Sequence, residues 1–261
     1  MAHYENLLFT NNDGVVKISL NRQAVHNALT LELIREITEA VQEAGEDSSV
    51  RVIVLTGEGE KAFCSGADLK AAMESGESAG EMLRDGYNPM IEAIRNIPKP
   101  VICKLNGLAV GAGCSLALAC DLIIASEDSY LSQMFVHIGL MPDAGASFFL
   151  PRLIGMARAF ELASTGRKVY APEAVQIGLI NKSVPKEKLD AAIEEAVSYY
   201  RHAPTKAIGA IKKVFNQSFE SSLSDILNLE MKNQDLLHKT QDANEGISSF
   251  LQKKKPDYQG K

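Results

Sequence analysis

The sequence predicts an α/β fold, and two observations carry this prediction. Apolar strand-like runs alternate with amphipathic helical segments through most of the 261-residue chain. Successive strands at this spacing need crossover connections, which place them parallel to one another in a sheet. From about Lys186 the pattern becomes wholly helical. We therefore expect an α/β core at residues 1–195 and a C-terminal helical region at residues 196–261.

The predicted strands are apolar runs that end at turn residues. Residues 15–21 read as a half-buried strand, and residues 50–56 are rich in Val and Ile and end at the turn Gly57-Glu58-Gly59. Two further runs are expected to form buried strands, and they are Val101–Leu105 and Leu122–Ser126.

The predicted helices carry apolar residues three and four positions apart. Residues 29–44 place Leu33, Ile37 and Val41 on one face. A helix rich in Gly and Ala is expected at residues 113–120. The helices expected in the C-terminal region are residues 189–200, 205–219 and 223–237, with breaks near Pro204 and at Ser221-Ser222.

Composition excludes several classes of protein. The net charge of -6 and the pI of about 5.5 argue against a broad basic face for nucleic acid. No apolar run approaches the length of a membrane span, and the N-terminal residues lack the pattern of a signal peptide, so we expect a cytoplasmic protein. The cysteines form no Cys-x-x-Cys pair and lie in apolar stretches, as reduced buried thiols do; they are Cys64, Cys103, Cys114 and Cys120.

Asp143 is a lone carboxylate in a turn between two apolar segments. Beside Met141, Phe148 and Phe149 it would be poorly solvated, which raises the pKa of a carboxyl and lets it take and return a proton near neutral pH. Pro-Asp-x-Gly is also ordinary turn chemistry, in which Asp143 would cap the helix that follows. These residues alone leave both interpretations open.

Two loops of small residues follow predicted strands, at residues 62–70 and 107–114. Small residues let a ligand approach backbone N–H groups closely, although they also permit tight packing of a helix on a strand. Two N–H groups on separate loops can form an oxyanion hole, and a nearby base can remove the proton that such a hole makes acidic. The combination with Asp143 therefore indicates an enzyme.

These segments resemble the crotonase superfamily, the enoyl-CoA hydratase/isomerase family. The resemblance includes Leu20-Asn21-Arg22 and continues through four segments, which are residues 62–70, 106–121, 139–155 and 245–256. It implies a spiral of repeated ββα units and a C-terminal helical region that builds trimers, often paired into hexamers. It also implies an acyl-CoA thioester substrate and no cofactor other than the coenzyme A of that substrate.

The resemblance also assigns roles to individual residues. Ala67 and Ala112 correspond to the two oxyanion N–H groups, and Asp143 corresponds to the catalytic Asp or Glu of isomerase members. Lys253 corresponds to a contact with a CoA phosphate. The expected substrate-binding residues are Ala67, Asp68, Leu69, Lys70, Ala112, Phe135, Phe215 and Lys253.

Two departures from the family pattern bear on the reaction. Hydratases of the family use two glutamates, and this chain has Ser115 and Phe135 in their places. Adding water needs both a base and an acid, whereas moving a double bond needs one carboxylate that takes and returns a proton. The resemblance therefore implies an isomerase of a double bond or a ring epoxide. Hydration stays open if another acid enters the pocket, and the candidates are Glu81, Asp85 and Glu92.

Other functions fit the sequence less well. An aryl-CoA dehalogenase of this family uses a pocket tryptophan, and the chain contains no Trp. Gly111-Ala112-Gly113 lacks the third glycine of a dinucleotide-binding loop, because Leu116 stands there. The five histidines lack the spacing of metal ligands. A non-catalytic acyl-CoA-binding scaffold stays open, and turnover of any enoyl-CoA would exclude it.

Overall fold

Two β-sheets organise the fold. The computed structural model describes residues 4–261. The larger sheet contains β1 (Leu7–Asn12), β2 (Val15–Leu20), β3 (Val52–Gly57), β5 (Val101–Leu105), β7 (Leu122–Ser126) and β10 (Lys182–Val184). Its strand order is β1-β2-β3-β5-β7-β10. β1 and β2 form an antiparallel hairpin, and the other neighbouring strands are parallel.

The smaller sheet interleaves with the larger one along the chain. It contains β4 (Ala62–Cys64), β6 (Leu108–Val110), β8 (Tyr130–Ser132) and β9 (Val169–Tyr170), in that order. The chain passes from the larger to the smaller sheet three times, from β3 to β4, from β5 to β6 and from β7 to β8, and helices follow each passage. This is the spiral of ββα units that the resemblance implies.

Twelve α-helices lie within residues 4–261. They are α1 (Leu31–Glu46), α2 (Leu69–Ser75), α3 (Ala79–Met82), α4 (Asn88–Asn96), α5 (Ala112–Leu118), α6 (Ala146–Ile154), α7 (Met156–Thr165), α8 (Ala171–Gln176), α9 (Leu189–Arg201), α10 (Thr205–Gln217), α11 (Leu223–Leu237) and α12 (Gln241–Gln252). A π-helical segment, Leu83–Tyr87, joins α3 to α4. None of these helices is both long and apolar enough to span a membrane.

The amphipathic face predicted for α1 is confirmed. Leu33, Ile37 and Val41 are almost completely buried in the main core. The Thr30 side chain accepts a hydrogen bond from the Leu33 N–H at 3.3 Å and caps the helix. This cap explains why α1 begins at Leu31 rather than at residue 29.

The other predicted elements appear with small changes of boundary. β5, β7 and α11 have the predicted bounds, while β3 begins at Val52 because the Val50 N–H closes a turn onto the Asp47 carbonyl.

The domain division at residue 195 stays a prediction. α9 runs through that residue and packs on β3 and β7. Of the five histidines, His3 lies outside the described residues.

Candidate active site

The two small-residue loops lie against each other because β4 and β6 are parallel neighbours. A Cβ added to Gly66 would lie 2.7 Å from the Val110 carbonyl oxygen, and one added to Gly113 would lie 2.4 Å from the Cys64 carbonyl oxygen. No larger residue permits this approach. The glycines of these loops therefore bring two backbone segments together at one place.

Ala67 and Ala112 present backbone N–H groups that donate to no backbone carbonyl of residues 4–261. Leu29 donates to the Gly66 carbonyl at 2.7 Å and accepts from the Asp68 N–H at 2.9 Å. Because successive N–H groups of extended backbone point to opposite sides, the Ala67 N–H points away from Leu29. Ala112 is the first residue of α5, and a helix offers no acceptor to its first N–H groups. The Ala112 nitrogen lies 3.5 Å from where a Gly66 Cβ would stand, so both donors border one space.

Asp143 has a half-buried carboxyl whose Oδ1 atom makes no hydrogen bond. Burial raises the pKa of this carboxyl from 3.8 to about 6. The N-cap of α6 is Gly145, and no side chain caps this helix. The helix-capping interpretation of Asp143 is therefore wrong, and the carboxyl is suited to exchange a proton near neutral pH.

Ser115 connects the Asp143 turn to the second loop. Its hydroxyl is fully buried and donates to the Asp143 carbonyl oxygen at 2.9 Å. The turn continues through Ala144 at φ +47° and Gly145 at φ +84°. A left-handed alanine is unfavourable and persists only where its surroundings hold it. Ser115 therefore helps to fix the position from which the Asp143 side chain departs.

Replacing Ser115 with alanine should shift the Asp143 carboxyl without changing its pKa. We expect kcat to fall about 10-fold and the free energy of unfolding to fall by about 1 kcal/mol, because the Asp143 carbonyl loses one donor. The pH at which the rate is half-maximal should stay the same, since Ser115 contacts the carbonyl and not the carboxyl. Rate profiles and urea unfolding measure these quantities, and an unchanged kcat would contradict the positioning role.

Asp68 is engaged in the fold of the first loop. Its carboxylate accepts a hydrogen bond from the Ala71 N–H at 3.2 Å and pairs with Arg22 at 3.0 Å. Burial acts to raise the pKa of Asp68, but the Ala71 N–H and the Arg22 guanidinium outweigh it, and the pKa is lowered. Leu69 and Lys70 end the first loop and are exposed in the first turn of α2.

The remaining predicted binding residues lie in different places. The Phe135 ring is buried and stands 3.8 Å from where a Gly111 Cβ would be, so it forms a wall beside the second loop. Phe215 is exposed on α10 and lines a cavity of about 470 Å³ that contains no residue of the two loops. Lys253 is exposed at the end of α12, and its side chain makes no ion pair or hydrogen bond with either loop.

The three alternative acids belong to the surface. Glu81 forms a capping box with Ser78 at the start of α3, and Asp85 pairs with Arg84 at 2.7 Å. Glu92 is exposed on α4. These positions favour solvent-facing roles over a second acid beside Asp143.

Tyr87 is a neighbour of the site that the sequence analysis did not identify. It ends the π-helical segment, is only 7% exposed, and has a pKa raised by burial and then by the negative charge of Asp143. Its signal in the sequence was weak, because it stands in a charged stretch typical of a surface helix.

Comparison with known proteins identifies the family. A family model described as enoyl-CoA hydratase/isomerase matches residues 10–261. The chain belongs to the enoyl-CoA hydratase/isomerase family. It is 38% identical to a probable enoyl-CoA hydratase of Rhodobacter capsulatus over 99% of both chains. It is 34% identical to the 1,2-epoxyphenylacetyl-CoA isomerase of Escherichia coli, over 95% of this chain and 96% of that protein.

The solved structures agree with this membership. The crystal structure of an enoyl-CoA hydratase from Bacillus anthracis matches with a TM-score of 0.92 and 35% identity, over 98% of this chain and 100% of that one. The protein is therefore an acyl-CoA-processing enzyme with the crotonase fold. The names of its relatives divide between hydratase and isomerase, so the residues around Asp143 have to distinguish the two reactions.

Proposed function

We propose that this family member is an isomerase that moves a double bond, or opens a ring epoxide, in an acyl-CoA thioester. Asp143 carries the proposal, because it is a half-buried carboxyl with an unbonded oxygen and a pKa of about 6. Ser115 and Phe135 supply no second acid–base group. One base is sufficient to shift a proton, whereas hydration requires a base for water and an acid for the α carbon.

The proposed reaction uses the two backbone donors together with Asp143. The Asp143 carboxylate removes a proton from the α carbon of a 3-enoyl thioester, and the electron pair of that C–H bond moves towards the thioester oxygen. The Ala67 and Ala112 N–H groups stabilise the resulting enolate oxygen. The protonated Asp143 then returns its proton to the γ carbon, and the double bond forms between the α and β carbons.

The choice of substrate tests the reaction type. Purified enzyme should be incubated separately with 3-enoyl-CoA, 2-enoyl-CoA and 2,3-epoxyacyl-CoA, and the products identified by mass and ultraviolet absorbance. We expect isomers of the 3-enoyl or epoxy substrates and only slow hydration of the 2-enoyl substrate. Efficient hydration at neutral pH that survives loss of Asp143 would contradict the proposal.

A hydratase is the second candidate, and the naming of the Rhodobacter capsulatus relative favours it. Hydration requires a second acid–base group beside Asp143. One of the surface residues Glu81, Asp85 and Glu92 would have to move there to supply it. A non-catalytic scaffold is the third candidate. Measured turnover of any of the three substrates excludes the scaffold.

We assign the CoA contacts to Leu69, Lys70 and Lys253, with Phe135 near the acyl group. Lys253→Ala together with Lys254→Ala should weaken CoA-ester binding, and more at low salt than at high salt, because exposed charges are screened. The kcat of the saturated enzyme should change little, because these contacts act on ground state and transition state alike. Calorimetric titration at two salt concentrations measures the effect, with Lys182→Ala as control. Unchanged affinity would contradict the CoA contact and mean that Lys253 and Lys254 are only solvated surface residues.

We further propose that this chain assembles into trimers or hexamers. α11 buries none of its residues within the single chain, and the large exposed apolar side chains of α11 and α12 are Leu223, Leu227, Met231, Leu236, Ile247, Phe250 and Leu251. An exposed apolar face of this kind is typical of an interface. Sedimentation would reveal the assembly, and a monomer would contradict it.

We also propose a cytoplasmic location, which the four buried, unpaired cysteines support.

A further inference from the structure

Gln133 has a buried side-chain amide without a hydrogen-bond partner. The residue is 3% exposed, and within residues 4–261 neither its Nε2 atom nor its Oε1 atom makes a hydrogen bond. It precedes the 3₁₀-helical segment Met134–Ile138, but its side chain does not cap that segment. An unpaired buried amide is unfavourable, because it has lost water at both its donor and its acceptor. Such a group needs an explanation other than packing.

Asp143 has the complementary unpaired group. Within residues 4–261, buried side-chain atoms without a partner occur in Gln133, Asp143, Arg152 and Arg201. The two arginines are paired through their other nitrogens, with Glu220 and Asp13. The Oδ1 atom of Asp143 is therefore the one unpaired acceptor of this set that could receive a hydrogen bond from the Gln133 amide.

Gln133 and the Asp143 turn meet at the first turn of α5. Gln133 follows β8, whose last residue pairs with Val110 of β6, so it lies about 5 Å from Gly111 across the sheet. The Ser115 hydroxyl lies 3.3 Å from the Gly111 carbonyl oxygen and 2.9 Å from the Asp143 carbonyl oxygen. One hydroxyl thus contacts both backbones. The end of β8 and the Asp143 turn are therefore neighbours.

The Gln133 side chain extends towards α5. Side chains two residues apart in a strand face the same side, and Leu131 lies in the main core together with Cys114. Burial raises the pKa of the Cys114 thiol to about 12, and the Gln133 amide opposes this only weakly. The thiol therefore stays neutral and is too weak a partner to satisfy the amide. The next residue of α5, Ser115, carries the contact with the Asp143 turn.

We propose that Gln133 is a positioning residue that turns its amide to the buried Oδ1 atom of Asp143 and holds the carboxyl during proton transfer. This inference rests on the proposed function, in which Asp143 alternates between carboxylate and carboxylic acid. A carboxylate needs a donor and a carboxylic acid needs an acceptor, and an amide offers both, from Nε2 and from Oε1. The other oxygen of Asp143 stays free for the substrate proton.

The ionisable groups around the pair leave Asp143 as the one that exchanges a proton. Burial, and then the charge of Asp143, raise the pKa of Tyr87, which stays protonated at neutral pH as the Cys114 thiol does. The other ionisable side chains on the surrounding elements are paired or exposed, and they are Arg84, Asp85, Glu92, Arg95, His137 and Arg152. A shift of the pH profile on substitution of Gln133 therefore reports on Asp143.

Gln133→Met tests the pairing through the pH profile, because Met has a similar size and no amide. With 3-enoyl-CoA, the pH at half-maximal kcat/KM should rise by roughly half a unit to one unit, since the carboxylate loses its donor. Above that pH, kcat should fall roughly 3- to 10-fold, the factor that one hydrogen bond provides. Acyl-CoA affinity should stay within about 2-fold, which separates this role from substrate binding. Gln42→Met, on the exposed face of α1, is the matched control and should behave as wild type.

Urea unfolding above pH 6, where Asp143 is ionised, tests the same pairing without turnover. In the wild-type background, Gln133→Met should lower the unfolding midpoint, because a buried carboxylate loses its donor. In the Asp143→Leu background, the same substitution should leave the midpoint unchanged or raise it, because it removes an amide that has no partner. Two side chains that do not interact would instead give the same change in both backgrounds.

Two results would overturn the inference and leave the proposed function intact. One is a pH profile that Gln133→Met does not shift, and the other is an unfolding midpoint that Gln133→Met raises in both backgrounds. Absence of turnover by the wild type, with the reversal in urea retained, would overturn the proposed function alone, because the pairing would be present and the chemistry absent.

Discussion

Asp143→Asn should lose the isomerase rate by at least about 100-fold and still bind acyl-CoA, because the substitution removes the base and keeps the shape of the side chain. In the wild type, kcat/KM should rise with pH through about 6, since Asp143 acts only when deprotonated. Initial rates across pH measure both effects. Asp128→Asn, in the exposed turn between β7 and β8, is the control and should behave as wild type.

The same substitution should make the protein more stable at neutral pH. The pKa of Asp143 is about 6 in the fold and 3.8 in its unperturbed state, so above pH 6 the folded protein holds a poorly solvated charge. Removing that charge should add roughly 1–2 kcal/mol to the free energy of unfolding, less than full burial would give because part of the carboxyl faces solvent.

The pH dependence of this gain has a definite sign. As pH falls from about 6 to 3.8, the folded wild type takes up the proton before the unfolded chain does, and the wild type becomes more stable. The advantage of Asp143→Asn should therefore be complete above pH 6 and disappear by about pH 4. Urea unfolding of both proteins, above pH 6 and at about pH 4, measures this difference in the free energy of unfolding. Near wild-type turnover, or a variant less stable than wild type at neutral pH, would count against Asp143 as a buried base.

Ala112→Pro should produce the second large loss, of about 100- to 1000-fold in kcat, because it deletes one oxyanion donor. Ala112 is the first residue of α5, a position that accepts proline because its N–H has no acceptor within the helix. The substitution therefore removes the donor and keeps the helix.

Ala112→Gly is the control that distinguishes the effect of the N–H donor from the effect of the methyl side chain. It retains the N–H and should keep kcat within a few-fold of wild type, while circular dichroism checks that both variants fold. If the proline variant turned over substrate as fast as the glycine variant, the Ala112 N–H would not stabilise the enolate.

Some elements were predictable because their signal lies within one segment. Val101–Leu105 and Leu122–Ser126 are continuous apolar runs with clear ends, and α11 is preceded by Ser222, which caps it. The smaller sheet was not predicted. β4, β6 and β8 have three residues each, which is too short to display a period of two, and they exist only because the chain returns to the same sheet after each longer strand.

The candidate site was likewise predictable from the sequence only in part. The sequence identified Asp143 by its apolar neighbours and the two loops by their small residues. It did not separate a helix cap from a base, because that distinction depends on Gly145 taking the cap position and leaving the carboxyl unbonded. It missed Tyr87, because its place depends on α4 packing against the Asp143 turn, a contact that no local pattern records.

The most direct test of the central claim follows 3-enoyl-CoA in water labelled with heavy oxygen, with products separated and weighed at early times. A single-base isomerase gives 2-enoyl-CoA of unchanged mass, and Asp143→Asn abolishes this product. We expect that result. Unreacted 3-enoyl-CoA, together with rapid conversion of 2-enoyl-CoA in the same water to 3-hydroxyacyl-CoA that carries the heavy oxygen, as fast in Asp143→Asn as in the wild type, would contradict the account and make the protein a hydratase.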